Sequence, residues 1–406
     1  MDISITRRDG SSAAPPHSGG QVSLLALGTF AVGTDAFVVA GFLPEMAGEL
    51  GVTEATAGYS VTVFAICYAV FSPLLATITA TVPRRRLLVA ALVVLGLANL
   101  GTAFAPNFAL LMASRVLAAL GAAAYTPNAG AVASSLVSAE RRGRALALVV
   151  SGLTVATAIG VPLGNLASRF LGWRSALGLV AMLCLLIGAG LAILLPKLAG
   201  GNRVPLTERL AVLRNSGVRM ILPVTVLGMA AAYTAYAYAI PAFDAAGISP
   251  DAAQWMLFLY GAGAVAGAQS SGRLTDKFGG TKVLIVGYAV MTCTLVAFGS
   301  LTLAHVTLPI LVGVLAFTWG ASSWCQTPPQ QHRLIAAAPD EAPLVIALNS
   351  SGIYIGIGVG TFVGGLAGAG NATWMFFSGA VIAVIAGVFL TVTGRVAHRG
   401  QRQSTC

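Results

Sequence analysis

The chain has 406 residues, 57% of them hydrophobic and only 9% charged, with a mean hydropathy of +0.85. That composition excludes an ordinary soluble globule. The net charge of +10 does not mark a nucleic-acid binder either, because the basic residues are scattered over short loops rather than gathered in one patch.

Residues 1–21 (MDISITRRDGSSAAPPHSGGQ) are polar and are expected to be disordered. Beyond them, apolar windows of about 20 residues, the length a bilayer span requires, recur along the chain. Twelve are found, at 22–45, 54–81, 87–105, 108–137, 142–168, 174–196, 218–243, 252–275, 281–304, 306–332, 342–368 and 371–394. The first is too long for a signal-peptide core and lacks a cleavage site, so it is read as a retained span. Runs of Ala, Leu, Val and Gly are helices in lipid, since a helix satisfies its own backbone there. Outer-membrane strands would alternate instead. The expected fold is all-α and polytopic.

Cations concentrate on the cytoplasmic side of such proteins. With both termini inside, all 23 Lys and Arg fall on the inner face except Arg169 and Arg174 outside and Arg115 within a span. The longest break in the apolar pattern is 197–217, where Leu206, Leu210 and Leu213 recur at the spacing of a short helix lying on the membrane surface. This divides the chain into a tail (1–21), six spans (22–196), a cytoplasmic linker (197–217), six more spans (218–394) and a basic tail (395–406).

The two halves echo each other. Gly152, Gly160 and Gly164 of the fifth span return as Gly352, Gly360 and Gly364 of the eleventh, at a constant offset of 200. ATITATVPRRRLL (76–88) aligns with GRLTDKFGGTKVL (272–284), and Thr126-Pro127 with Thr327-Pro328. A six-plus-six repeat about an axis along the membrane normal is a transporter architecture, with the substrate site between the halves near the midplane.

Two charges, Asp35 and Arg115, lie well inside apolar spans. An ionised group there costs at least about 2.5–3.5 kcal/mol and marks function by default. At 1.5 Å per residue, Asp35 lies ~15 Å and Arg115 ~10 Å below the same outer surface, within reach of one another. Gly28, Ala31 and Val32 share the helical face of Asp35 and are small enough to leave a solvated cavity. Burial raises a carboxyl pKa and a guanidinium lowers it, so motion that alters either alternately loads and releases a proton. The bland alternative is a static ion pair tying helix one to helix four.

Soluble catalytic signatures are missing: there is no GxxxxGK[ST], HExxH or GxSxG. His17, His305, His332 and His398 do not cluster, and Cys67, Cys184, Cys293, Cys325 and Cys406 are dispersed. Neither an enzyme, a metal site nor a disulfide is expected.

GRLTDKFGGTKVL resembles motif A of the major facilitator superfamily, at Gly272, Asp276, Lys277 and Gly279. LLMASRVLAALGAAA (110–124) resembles its motif B, at Arg115 and Gly121. GLTVATAIGVPLGN (152–165) resembles motif C of its antiporters, at Gly152, Gly160, Pro162 and Gly164. GTDAFVVAGFLPEMAGELGV (33–52) resembles the first span of twelve-span bacterial drug:proton antiporters, with chloramphenicol-type and multidrug exporters nearest. The resemblance implies two six-helix bundles and proton-coupled export by alternating access. It also implies Asp35 as proton carrier with Arg115 as its modulator, and a cytoplasmic latch at the motif A hairpins. The first hairpin departs from the pattern. It keeps Arg84 and Arg85 but has Ala76, Ala80 and Pro83 where Gly, Asp and Gly are usual, so the latch of that half is expected to be weak.

Gly160, Pro162 and Gly164 suit close packing and a bend in helix five, by small-residue contact and a missing backbone donor. Tyr233, Tyr236, Trp319, Trp324, Gln326 and Tyr354 are candidates to line an amphipathic cavity, against the bland reading of packing aromatics. Asn128 and Asn165 stand between cavity lining and interhelical hydrogen bonding, and WCQTPPQQHR (324–333) reads as a broken or water-lined helix end. The expected protein is a monomer in a bacterial cytoplasmic membrane. It exchanges small amphipathic solutes for protons and needs no cofactor beyond the proton gradient. A sugar, purine or metabolite exporter, or a membrane sensor, are the alternatives.

Overall fold

The computed structural model describes residues 18–138, 141–201 and 205–403. The amino-terminal tail to residue 17, Arg203 and Cys406 lie outside the described residues. Among those described there is no strand. The helices are α1 (Ser18–Val38), α2 (Leu43–Glu49), α3 (Glu54–Ile78), α4 (Arg84–Ala103), α5 (Phe108–Ser135), α6 (Arg142–Val155), α7 (Val161–Leu171), α8 (Trp173–Leu194) and α9 (Leu206–Ala211). After them come α10 (Ser216–Tyr236), α11 (Ala239–Ala245), α12 (Pro250–Phe278), α13 (Gly280–Leu303), α14 (Pro309–Trp324), α15 (Thr327–Ala337), α16 (Ala342–Gly368) and α17 (Thr373–Gln403).

Local chemistry sets several of these boundaries. The Thr53 and Asn107 side chains accept backbone N–H groups of Thr56 and Leu110, capping α3 and α5. Asn215 does the same for α10. The tight α7–α8 and α12–α13 corners turn on Gly172 and Gly279, at φ of 80° and 85°, a region that only glycine enters freely.

Among the described residues, ten helical stretches are long and apolar enough to cross a membrane. The segments predicted as the eighth and tenth spans are helical but are not among the ten. α12 carries Asp251 near its start and Arg273, Asp276 and Lys277 at its end. The tenth is broken between α14 and α15 at Cys325–Gln326, ahead of Pro328 and Pro329. That break was expected, and the Gln326 and Gln330 side chains beside it are buried and hydrogen-bonded. The first predicted span is likewise interrupted, by a 3-10 turn at Val39–Gly41 before α2. The last helix continues past 394 to Gln403, where a tail was expected. The linker forms α9 and a 3-10 turn at Val212–Arg214, as its leucines suggested.

Before the linker, α4 packs against α5 and α8, α3 against α5, and α1 against α6 and α8. After it, α10 packs against α16 and α17, α12 against α14, and α13 against α17. Contacts across the linker run chiefly through α3 with α16, and α12 with the stretch joining α6 to α7. Large apolar side chains such as Phe170, Ile193 and Ile310 stay exposed on the outer faces, as lipid-facing positions would be.

Small residues bring the helices together where no hydrophobic effect drives association. At the α12–α14 contact, a Cβ on Gly320 would run into the Tyr260 carbonyl, and one on Gly267 into that of Ala321. Gly320→Val is expected to cost about 1–3 kcal/mol through overpacking and to lower the thermal midpoint of the detergent-solubilised protein. An unchanged midpoint would show that α12 and α14 part without penalty.

Candidate functional site

Asp35 and Arg115 meet. The Arg115 Nη1 donates to Asp35 Oδ1 at 2.7 Å, its Nη2 donates to the Asp35 carbonyl at 3.4 Å, and both side chains are 0% exposed. The guanidinium lies 4.4 Å from the centroid of the Phe64 ring, so α1, α3 and α5 converge on it. Asp35 Oδ2 and Arg115 Nε have no protein partner. The pair is therefore incompletely satisfied by the protein.

The expected solvated cavity beside Asp35 is filled. Tyr125 of α5 takes the space left by Gly28 and donates to the Leu25 carbonyl at 3.1 Å, while Ala31 and Val32 are fully buried. A small face on one helix was met by a large side chain from another.

The motif C residues act at the same place. Pro162 cannot donate a backbone hydrogen bond, and the helix widens into a π turn over Ala156–Gly160. This splits the predicted fifth span into α6 and α7. Gly152 abuts the α1 backbone at Ala26 and Phe30, Gly160 abuts Thr34 and Gly164 abuts Val38. Helix five thus lies flush along α1, touching the residue next to Asp35. On its other side, Gly261 of α12 abuts Thr157 and Ala158 of the π turn.

Five of the predicted cavity residues gather into one buried aromatic layer. Phe37, two residues past Asp35, packs against Tyr233 and Trp324 with centroids at 6.0 and 5.9 Å. Tyr233 meets Tyr236 at 5.1 Å, Tyr236 stacks on Tyr260 at 4.4 Å, and Trp319 stands edge-on to Tyr260 at 5.1 Å. Tyr354 stacks on Tyr68 at 3.7 Å and approaches Phe64, the ring under Arg115. The Tyr233 phenol lies within electrostatic range of those of Tyr236, Tyr260 and Tyr354. The hydroxyls of Tyr233, Tyr236 and Tyr354 and the Trp319 indole N–H have no partner.

The three amides are engaged elsewhere. Asn128 accepts from Arg84 Nη1 and donates to the Ala124 carbonyl, both at 2.8 Å. Asn165 packs on Gly41. Gln326 accepts from the Tyr288 hydroxyl at 3.1 Å and donates to the Ser323 carbonyl. Sequence reasoning missed Phe37, Phe64, Tyr68, Tyr125 and Tyr260; Phe37, two positions from the buried acid, was the one signal available. A groove of about 490 Å³ between α12, α13 and α14 is lined by none of the layer's residues and has an apolar wall, as suits a crevice facing lipid.

At the first motif A-like hairpin, Ala80 is 2% exposed because the linker covers it. The Gly201 N–H donates to the Ala80 carbonyl at 2.8 Å, and the Arg84 N–H to that of Leu198 at 3.0 Å. Arg85 donates to the carbonyls of Ala192 and Leu195. In the second hairpin, Gly272 is half-buried, Asp276 is exposed with no ion pair among the described residues, Lys277 lies over the Phe278 ring and Gly279 makes the turn.

At the other end of α1 lies a polar cluster that the sequence reading did not assemble. Ser168 donates to Glu45 Oε2 at 2.6 Å, and the Trp173 backbone N–H to Glu45 Oε1. Glu49 accepts from the Trp173 indole and from Arg174 Nε, the latter at 2.7 Å, while Arg174 also donates to the carbonyls of Ala103 and Ala105. Arg169 of α7 pairs with Asp251 of α12. Arg169 and Arg174 were the two cations assigned to the outer face, and their acids stand in the first turn of α12 and at the end of α2.

A buried ion pair inside a bundle of long apolar helices, flanked by a π turn and an aromatic layer, marks a polytopic membrane protein that holds charge in its interior. The comparisons narrow that class. The sequence profile of the Major Facilitator Superfamily matches residues 25–246 and again 222–405. The chain belongs to that superfamily. YbcL, an MFS-type transporter of Bacillus subtilis, is 30% identical over 375 residues, covering 91% of this chain and 95% of that protein. A chloramphenicol resistance protein of Streptomyces lividans is 34% identical over 306 residues, covering 74% and 78%. The inner membrane transport protein YdhP of Escherichia coli is 28% identical over 381 residues, covering 91% and 95%. Among solved structures, a D-xylose–proton symporter superposes with a TM-score of 0.76 at 15% identity, covering 91% of this chain and 97% of that one. A bacterial homologue of the lysosomal transporter Spinster, inward-facing and unoccupied, gives 0.73 at 15%, covering 94% and 98%.

The Arg174 hydrogen bond holds the Glu49 carboxyl below its ordinary value of 4.5. A carboxyl depressed in the folded state stabilises fully above its unfolded value and loses that contribution as pH falls through the folded one. Wild type should therefore melt above Glu49→Gln at pH 7, with the gap closing below about pH 4. A gap that persists at lower pH would remove the ionised carboxylate as its source.

Proposed function

We propose that this chain is a secondary transporter that exports small amphipathic drugs or metabolites in exchange for protons. Twelve spans form two six-helix bundles, 22–196 and 218–394, with both termini cytoplasmic. The observation that carries the reading is the fully buried Asp35–Arg115 pair, with one carboxylate oxygen left without a partner. The asymmetry of cations and the two successive matches to the superfamily profile support the topology and the repeat. The likeness to a chloramphenicol resistance protein supports export of drug-like solutes.

Asp35 is the proton carrier. Separating it from Arg115 leaves an isolated buried carboxylate, which takes up a proton rather than keep its charge in a low dielectric. Restoring the contact favours the ionised form and releases the proton. The π turn gives this motion a route: it touches Thr34 on one side and Gly261 on the other, so sliding α12 along helix five shifts the backbone beside Asp35. One charge crossing 100 mV supplies ~2.3 kcal/mol. At about 1.4 kcal/mol per tenfold, that sustains a solute gradient of roughly fifty-fold. The aromatic layer beside the pair is the place for the solute.

In proteoliposomes, Asp35→Asn should abolish substrate-dependent proton movement and counter-gradient export. Asp35→Glu, which keeps the charge, should retain part of both. Proton-coupled export undiminished in Asp35→Asn would sink the assignment, and a wild-type protein that binds solute but moves neither solute nor protons would be a sensor. The exposed Asp276 is the one acid of the two hairpins, and has no ion pair among the described residues, which leaves it free to engage as a latch when the halves move. Asp276→Asn should slow export severalfold with solute affinity unchanged; full-rate export would remove the latch.

A further inference from the structure

We infer that the aromatic layer is a hydrogen-bond-donating site for neutral, flat aromatic solutes bearing acceptor oxygens or nitrogens, and that it discriminates against organic cations. The inference rests on the proposed reading of this layer as the solute site, and adds what that site selects.

Four polar atoms carry the first half of the argument. The hydroxyls of Tyr233, Tyr236 and Tyr354 and the Trp319 indole N–H are unpartnered, on side chains that are 1%, 1%, 3% and 0% exposed. Buried polar groups are almost always paired, and leaving one unpaired is costly. Four in one layer therefore point to a partner from outside the chain. An indole N–H only donates, and a phenol donates as readily as it accepts. A solute rich in acceptors fits this set, and its ring finds flat partners in Tyr236, Tyr260 and Trp319.

Charge carries the second half. Asp35 is the one buried acid among the described Asp and Glu residues, and Arg115 already holds it. A cationic solute meets no free carboxylate there. When Asp35 takes a proton, Arg115 leaves the site positive, and repulsion between like charges is strong at low dielectric. Aromatic faces can hold a cation on their own, but the guanidinium already occupies the Phe64 face next to Tyr354.

The test uses the full-length protein in lipid nanodiscs, without a gradient, and calorimetric titration at about pH 8. The probes are acridine, its permanently charged isostere 10-methylacridinium, and chloramphenicol. Acridine should bind at least about tenfold more tightly than 10-methylacridinium. Tyr233→Phe and Tyr236→Phe, which keep the rings, should each weaken chloramphenicol binding about threefold to tenfold, the net value of one hydrogen bond. Equal or tighter binding of the cation overturns the inference. So does unchanged chloramphenicol affinity in both variants, or failure of both neutral probes to bind at about millimolar concentration. Proton movement in vesicles is read separately. Neutral probes that bind but move no protons remove the exchange reading and leave the selectivity standing, whereas preferential proton-coupled export of 10-methylacridinium does the reverse.

Discussion

A carboxylate and a guanidinium at zero exposure inside a helix bundle set the terms for everything around them. Such a pair seldom stabilises a protein relative to apolar residues of the same volume, because desolvating both charges consumes the Coulomb gain. Removing one partner is far worse, at about 3–5 kcal/mol. The chain therefore keeps a contact that is a poor glue, and its surroundings suit the proposed use as a switch. A geometry built for stability alone would satisfy every lone pair and every N–H, yet Asp35 Oδ2 and the Arg115 Nε–H are left without protein partners.

The proposed motion around the pair has its physical basis in how helix five is made. Pro162 removes one hydrogen bond and the helix answers with a π turn, while glycines on either side let it lie against α1 and α12 with backbones nearly touching. Contacts of this kind are made of van der Waals packing with few hydrogen bonds to break, so two packed arrangements can differ little in energy. The α3–α16 seam differs, since it is lined by stacked rings such as Tyr68 and Tyr354 and Tyr59 and Phe362. One seam is smooth and small-residued, the other aromatic, and the ion pair lies between them.

Much of this was legible beforehand, for physical reasons that also mark the limits. Hydropathy located the helices because lipid tolerates little else, and the cost of intramembrane charge singled out Asp35 and Arg115. Helix geometry then placed them at matching depths, and they touch. The aromatic candidates Tyr233, Tyr236, Trp319, Trp324 and Tyr354 are buried among other rings, which leaves the choice between cavity lining and packing to experiment. What sequence periodicity could not show was which side chain fills a gap left by another helix. Gly28 reads as room for water until Tyr125 is seen in it. Asn128 was open between two readings until Arg84 was found on it. The small residue at Ala80 is a similar case. Seen along the chain it is a missing acid; in space it is the floor on which the linker backbone at Leu198–Gly201 rests.

That last substitution bears on how the two halves communicate. An acid at a hairpin ties it through side chains, by contacts that form and break with conformation and weaken with salt. The Ala80 hairpin is tied instead through backbone hydrogen bonds to the connector between the halves, and Arg84 and Arg85 point inward to Asn128 and to the end of α8. Those contacts join elements of one half and its own linker, so they do not need to break when the halves move. The hairpin at Asp276 has no such cover and keeps its charge exposed. On the proposed reading, reversible latching falls to the Asp276 hairpin, while the other is held to the linker by backbone hydrogen bonds. The same reading then assigns most of the bias between conformations to the charge state of Asp35 rather than to a symmetric pair of latches.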